Sequence, residues 1–233
     1  MWYVYFRRAV LSVFAVCVVA AIAVSLFLWN CVQVKADGQR EFLSFPVTVE
    51  GTDLVAEFFV SYEGDYFEDK SGTFLVDGAA LYLYNRSDHY IDYARVYIET
   101  HDGIYCFEGT YIPPHGKIMI LEKYKSLYPQ GGVCFAAGKS VTSEDRNFLE
   151  DLEIQPVDMG KCKVTNISDV TLRNIRLFYK QYDSQWDTLL GGITYVVSAG
   201  SLEAGESVVL FPANYANGYS KIIFATAQSD LSN

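Results

Sequence analysis

No acidic residue precedes Asp37, and no charge of either sign occurs between Ala9 and Trp29. That absence excludes a solvated beginning to the chain. The run AVLSVFAVCVVAAIAVSLFLW would reach about 31 Å as a helix, against about 30 Å of bilayer hydrocarbon. A segment held there must be helical, because its backbone polar groups find no water. Arg7 and Arg8 before the run and an acidic chain after it put residues 1–8 in the cytoplasm and the C-terminal part outside. A single-pass transmembrane anchor over residues 9–29 is therefore expected, with 30–41 as a tether. A cleaved signal is the alternative, since Val34 and Ala36 precede Asp37 with suitable spacing. The apolar run is longer than the about 7–15 residues usual for a signal. Bulky Leu28, Trp29 and Asn30 argue against lipoprotein processing at Cys31. On either reading, everything from Asp37 onward is exported.

Catalytic signatures are missing too. There is no Gly-x-Ser-x-Gly, His-Glu-x-x-His, Walker or dinucleotide glycine pattern, and no Cys-x-x-Cys. No catalytic, cofactor or metal residue is assigned, and a non-enzymatic role is expected. All 28 acidic residues and 15 of the 18 basic ones lie from Asp37 on, a balance of 15 − 28 = −13. Such a surface repels phosphate backbones, so nucleic acid is excluded as a partner.

What the exported part does have is aromatic and strand-patterned. Aromatics make up 15% of the chain, and Tyr and Phe favour pleated, half-buried surfaces. Ala94-Arg95-Val96-Tyr97-Ile98-Glu99 alternates apolar with polar, the period of a half-buried strand. Gly103, Pro113-Pro114-His115-Gly116 and Gly131-Gly132 punctuate the strands as turns. Leu54 to Gly64 fits a strand or a short helix. Glu63 to Gly72 reads as an acidic, turn-rich spacer.

An internal repeat organises this pattern. Asn85-Arg86-Ser87-Asp88 returns as Asn166-Ile167-Ser168-Asp169 at an offset of 166 − 85 = 81, and Ile91, Ala94 and Val96 meet Leu172, Ile175 and Leu177. Gly116 and Phe135-Ala136 meet Gly205 and Phe224-Ala225 at 205 − 116 = 89, so the second copy carries an insertion of 89 − 81 = 8 residues. Two tandem β-domains follow, 42–146 and 147–233. The second should have a core of Val164, Leu172, Ile175, Leu177, Val209 and Phe224, and residues 150–233 should fold alone with marginal stability. Each Asn-x-Ser-Asp reads as a side-chain-closed turn, with a glycosylation sequon as the lesser alternative. Cys134 and Cys162 align with Ile223 and Leu81, which makes them core positions. A Cys106–Cys134 bridge stays open in an exported chain.

The Asn-x-Ser-Asp turn, the strand Leu172 to Tyr179, Tyr182-Asp183 and Leu202-x-x-Gly205-Glu206-Ser207 resemble the FxLYD-type family of bacterial Ig-like domains. The likeness covers about residues 158–228 and, more faintly, 77–137. The Phe-x-Leu-Tyr-Asp string itself is absent, and Pro113-Pro114-His115-Gly116 stands in place of the later motif in the first copy. The resemblance implies tandem Ig-like β-sandwiches at the cell envelope and supplies no catalytic residue.

Two readings of function remain. The first is a non-catalytic module for a protein or cell-wall partner, with Tyr93, Arg95 and Tyr97 as candidate partner surface, since they face away from Ala94, Val96 and Ile98. The second is an extracytoplasmic enzyme or metal-dependent binder in the first domain. His89 and His115 should share one end with Asp88 and Asp92, and His101 should lie at the other. Their counterparts at Val170 and Ala204 carry no ligand atom, so no bound ion is expected.

Overall fold

Alternating apolar and polar residues build strands almost throughout residues 42–69 and 71–229, which the computed structural model describes. In chain order they are β1 (Val47–Thr48), β2 (Leu54–Asp65), β3 (Phe74–Asn85), β4 (Ile91–Thr100), β5 (Gly103–Ile112), β6 (Lys117–Leu121), β7 (Val133–Thr142), β8 (Leu152–Asp158), β9 (Lys161–Asn166), β10 (Leu172–Asp183), β11 (Thr188–Leu202), β12 (Ser207–Leu210) and β13 (Ser220–Ser229). The fold is all-β; the one helical element among the described residues is a 3₁₀ turn at Leu149–Asp151. The expected anchor, its cytoplasmic flank and the tether lie outside the described residues, among which no helix is long and apolar enough to cross a membrane.

The repeat is visible in the pairing. β2-β3-β6 and β8-β9-β12 run in the same order, as do β5-β4-β7 and β11-β10-β13. Leu54 opposite Asn85 matches Leu152 opposite Asn166, which adds a third offset, 152 − 54 = 98. The first copy's β2–β3 hairpin is therefore longer by 98 − 81 = 17 residues. One sheet of each copy is shared with the other. β6 pairs in parallel with β11, Ile118 opposite Leu189, and fuses them into one sheet of order β1-β2-β3-β6-β11-β10-β13.

Both Asn-x-Ser-Asp turns close in the same way. The Asn85 amide donates to the carbonyls of His89 (2.8 Å) and Pro113 (2.9 Å), and its oxygen accepts from the Ser87 N–H and hydroxyl. Asn166 donates to Val170 (2.8 Å) and Leu202 (3.0 Å), and accepts from Ser168 in the same two ways. Both side chains are fully buried, so neither amide is presented for glycosylation.

One core lies between β2-β3-β6 and β5-β4-β7, with Leu54, Leu81, Leu83, Val96, Ile98 and Phe107 at its centre. A second holds Cys162, Val164, Leu172, Ile175 and Leu177. Two residues expected in the second core are elsewhere. Val209 is 44% exposed, because the chain gains one residue after the turn and presents Val208 and Leu210 inward instead. Phe224 is buried but belongs to the first core, with Phe178, Leu189 and Ile223. There Tyr111 and Phe178 approach at 4.4 Å between ring centroids, and Tyr90 and Phe224 at 4.9 Å. The second copy thus completes the core of the first. Cys162 is buried as its alignment with Leu81 implies, whereas Cys134 is only half-buried. Cys106, Cys134 and Cys162 are free. Cys106 on β5 and Cys134 on β7 flank β4, at least about 10 Å apart at about 4.8 Å per strand and offset along it, too far for a bridge.

Candidate functional site

The segments that break the repeat converge on the β6–β11 junction. Tyr66, at the start of the longer hairpin, is buried and its hydroxyl donates to the carbonyl of Lys123 (3.0 Å). Two residues on, Glu68 accepts from the Leu121 N–H on β6 (3.0 Å) and the Gly192 N–H on β11 (2.7 Å), tying one copy to the other. A Cβ on Gly192 would run into the carbonyl oxygen of Glu108, so only glycine lets β11 come this close to β5.

Beneath this contact lies Lys180, fully buried. Its ammonium donates to the carbonyls of Gly191 (3.1 Å), Gly192 (2.9 Å) and Ile193 (2.8 Å). Three donors meet three acceptors, which offsets part of the cost of burying the charge. Burial still pulls its pKa down to about 7 against the counter-pull of Glu68, whose own carboxyl burial pushes up. The junction is a desolvated, hydrogen-bonded latch.

At the end of the junction where β6 and β11 begin, a groove of about 550 Å³ opens between the copies. Tyr90, Leu149, Leu189 and Ile223 form its floor, the turn Pro113 to Lys117 one wall, and the β10–β11 hairpin tip the other. That tip is rigid. Asp183 accepts from the Gln185 N–H (2.9 Å), and the Thr188 hydroxyl donates to the Trp186 carbonyl (2.9 Å). Yet the Trp186 side chain is 70% exposed. Beside it Asp187 accepts from the Tyr182 hydroxyl (2.6 Å) and lies 3.6 Å from the Lys221 ammonium, which sits 4.7 Å from the Tyr182 ring centre. The Tyr182 bond, then Lys221 and Lys117, hold the Asp187 carboxyl below its ordinary range. His115 and Asp187, one on each wall, both take left-handed backbone (φ 52° and 47°), which non-glycine residues adopt at a cost.

The sequence-derived candidates fall as follows. Tyr93, Arg95 and Tyr97 lie on the outer face of β4, where Arg95 engages both Tyr97 and Glu108. The Tyr93 hydroxyl donates to Glu108 (2.9 Å) and so does Arg95 Nε (2.6 Å), while Lys123 holds the other carboxylate oxygen at 2.9 Å. Tyr97 is 39% exposed. His115 reaches Asp88, Nε2 to Oδ1 2.9 Å, and its Nδ1 lies 3.3 Å from the Tyr84 hydroxyl. His89 contributes its carbonyl to the Asn85 turn instead, and His101 sits in the β4–β5 turn. Asp92 has one buried oxygen without a partner. Among the described residues no three His, Cys, Asp or Glu side chains are grouped to hold a metal ion. Neither a family model nor a curated protein matches the chain. Trp186, Lys221, Glu68 and Lys180 escape sequence reasoning, although Trp186 is the lone tryptophan after Trp29.

Proposed function

We propose that this protein is a membrane-anchored, extracytoplasmic, non-catalytic binding protein of the cell envelope, built as tandem Ig-like β-sandwiches and engaging its partner through the junction groove. One observation carries the reading: a hydrogen-bonded hairpin tip holds Trp186 70% exposed over a groove walled by both copies. An exposed tryptophan adds nothing to either core, and such rings are favoured anchors at binding surfaces. The FxLYD-type likeness and the 9–29 run support the envelope setting. The outer face of β4 is a poorer partner surface, because Tyr93 and Arg95 are spent on Glu108.

Co-sedimentation of the full-length chain, purified in mild detergent, with detergent-extracted envelopes of its host tests this. The chain should pellet with the envelopes, and Trp186→Ala should weaken that by about tenfold, or about 1.4 kcal/mol. A Tyr93→Ala/Tyr97→Ala variant should pellet normally. The opposite pattern would move the partner surface to β4, and no sedimentation at all would remove the binding role.

A further inference from the structure

Exposed apolar side chains gather at the end of the first copy opposite the groove. Ile104 and Phe135 flank Glu99 on the outer face of β5-β4-β7, beside the β4–β5 turn. Tyr124 follows Lys123, whose N–H donates to the carbonyl of Cys106, two residues beyond Ile104 (2.9 Å). Leu127 pairs with Gly78 on β3, two residues from Val76. All five are between 43% and 71% exposed, and none joins a core. They come from both sheets of the first copy, so this apolar rim caps an end of the sandwich. Apolar side chains gathered in one place in water mark a contact surface.

The path of the chain says what covers it. The fold is entered at this same end, where the Leu43 N–H donates to the carbonyl of Val133 (2.7 Å), and Val133 pairs with Thr100. Only residues 30–42 separate Leu43 from Trp29, 42 − 29 = 13 residues. A flexible chain of that length spans about 20 Å on average and at most about 45 Å. With the 9–29 run in the bilayer, the lipid surface therefore faces this end at an effective concentration on the order of millimolar. A soluble partner has no such advantage. Glu99 and Asp102 lie among the apolar side chains, and Asp102 accepts from the N–H groups of Gln130 (2.8 Å) and Gly131 (3.0 Å). Two carboxylates forbid immersion in hydrocarbon and are repelled by anionic headgroups. The level left is that of zwitterionic headgroups, which suits Tyr124.

We propose that this end of the first copy docks on the outer surface of the bilayer holding the anchor, with its apolar rim at headgroup depth. The docking rests on residues 9–29 being that anchor, as argued above. β4 runs from Ile91, next to Tyr90 on the groove floor, to Thr100 at the docked end, about 30 Å at about 3.3 Å per residue. Docking thus holds the groove clear of the headgroups and open to a partner.

Tryptophan emission of the full-length chain tests this in phosphatidylcholine vesicles, with and without bromine on the acyl chains near the headgroup. The parent carries Trp2, Trp29 and Trp186, and its quenching reports the run itself. Ile104→Trp should add emission that brominated lipid largely removes, whereas the emission added by Phe58→Trp, in β2, should survive. Phe135→Asp or Tyr124→Asp, placed in the Ile104→Trp chain, should restore most of the lost emission. Replacing half of the lipid with phosphatidylglycerol should restore part of it. Equal quenching of the two added tryptophans, quenching untouched by both aspartate variants, or quenching that grows with phosphatidylglycerol overturns the docking. If the parent is quenched and Ile104→Trp adds nothing to that, the anchor stands and the docking falls. If brominated lipid leaves the parent unquenched as well, both fall.

Discussion

The two copies agree in six strands, β1 being the first copy's own, and their two long insertions meet each other. What they share, the six-strand order and the buried Asn turn, builds two cores. What they do not share is spent at the seam. The 17-residue excess in the first copy's hairpin brings in Glu68, and the longer β10–β11 hairpin of the second supplies Gly192 and the carbonyls around Lys180. A repeat that merely stood in tandem would need neither. The difference teaches that one sheet of each copy has been joined to the other's, with a polar fastening of its own.

The strongest way to break this comparison is to cut the copies apart. Isolated from its partner, a 147–233 fragment exposes Phe178, Leu189, Ile223 and Phe224, which pack in the first core, and leaves Lys180 without Glu68. At about 0.8 kcal/mol per buried CH₂, that loss exceeds what a marginal domain of this size holds in reserve. The fragment should therefore melt without a cooperative transition, whereas the full chain gives one. A sharp, independent melt of the fragment would restore two autonomous domains.

A smaller effect comes from the latch itself. Lys180→Met removes the donor for three buried carbonyls and strands Glu68, and should cost about 3 kcal/mol or more in chemical denaturation. It should also change the pH profile. Lys180 has a folded pKa near 7 against 10.5 in the unfolded chain. Between those values the unfolded chain binds the additional proton, so stability rises as pH climbs from about 7. The gain is opposed from about pH 9, because burial raises the Cys106 and Cys162 thiols and the Tyr66 hydroxyl above their unfolded values. A rise between about pH 7 and 9 in the parent, flat in Lys180→Met, sharpens the picture. A parent profile that is already flat would show that the three carbonyls keep the ammonium charged.

Sequence reading reaches the parts that repeat and misses those that do not. Asn85 and Asn166 announce themselves because the same three-residue chemistry returns at one spacing. β4 is legible because Ala94, Val96 and Ile98 alternate with outward residues. The third offset hides because little beyond Asp53-Leu54 and Asp151-Leu152 carries it. Glu63 to Gly72 looks like a solvated acidic turn, and burial of Tyr66 follows only from the tertiary position of β6. Lys180 gives no signal at all, since nothing local distinguishes a lysine facing three carbonyls from one facing water. Val209 shows the limit of an ungapped alignment: a one-residue slip turns a strand's other face inward.

The smallest effect bears on the equivalence of the copies most directly. Asn85→Ala removes one donor from each of the His89 and Pro113 carbonyls, which keep the Ser87 hydroxyl and the Gly116 N–H, and leaves the Ser87 N–H without its acceptor. Asn166→Ala removes one donor from the carbonyls of Val170, which keeps the Ser168 hydroxyl, and Leu202, and leaves the Ser168 N–H without its acceptor. Each should cost about 1–2 kcal/mol, since several hydrogen bonds of a buried amide are lost but most of its partners keep a second one. Asn85 should cost slightly more, because it also reaches the Ile112 carbonyl at 3.3 Å. The two Asn networks share no hydrogen-bond partner, so the double variant should lose the sum of the single losses within about 0.5 kcal/mol. Equality and additivity, read from denaturant midpoints at unchanged slope, would mean that each turn serves its own copy. A deficit well beyond the sum would mean that strain at one turn crosses the β6–β11 seam, making that seam a carrier of force between the copies as well as a fastening.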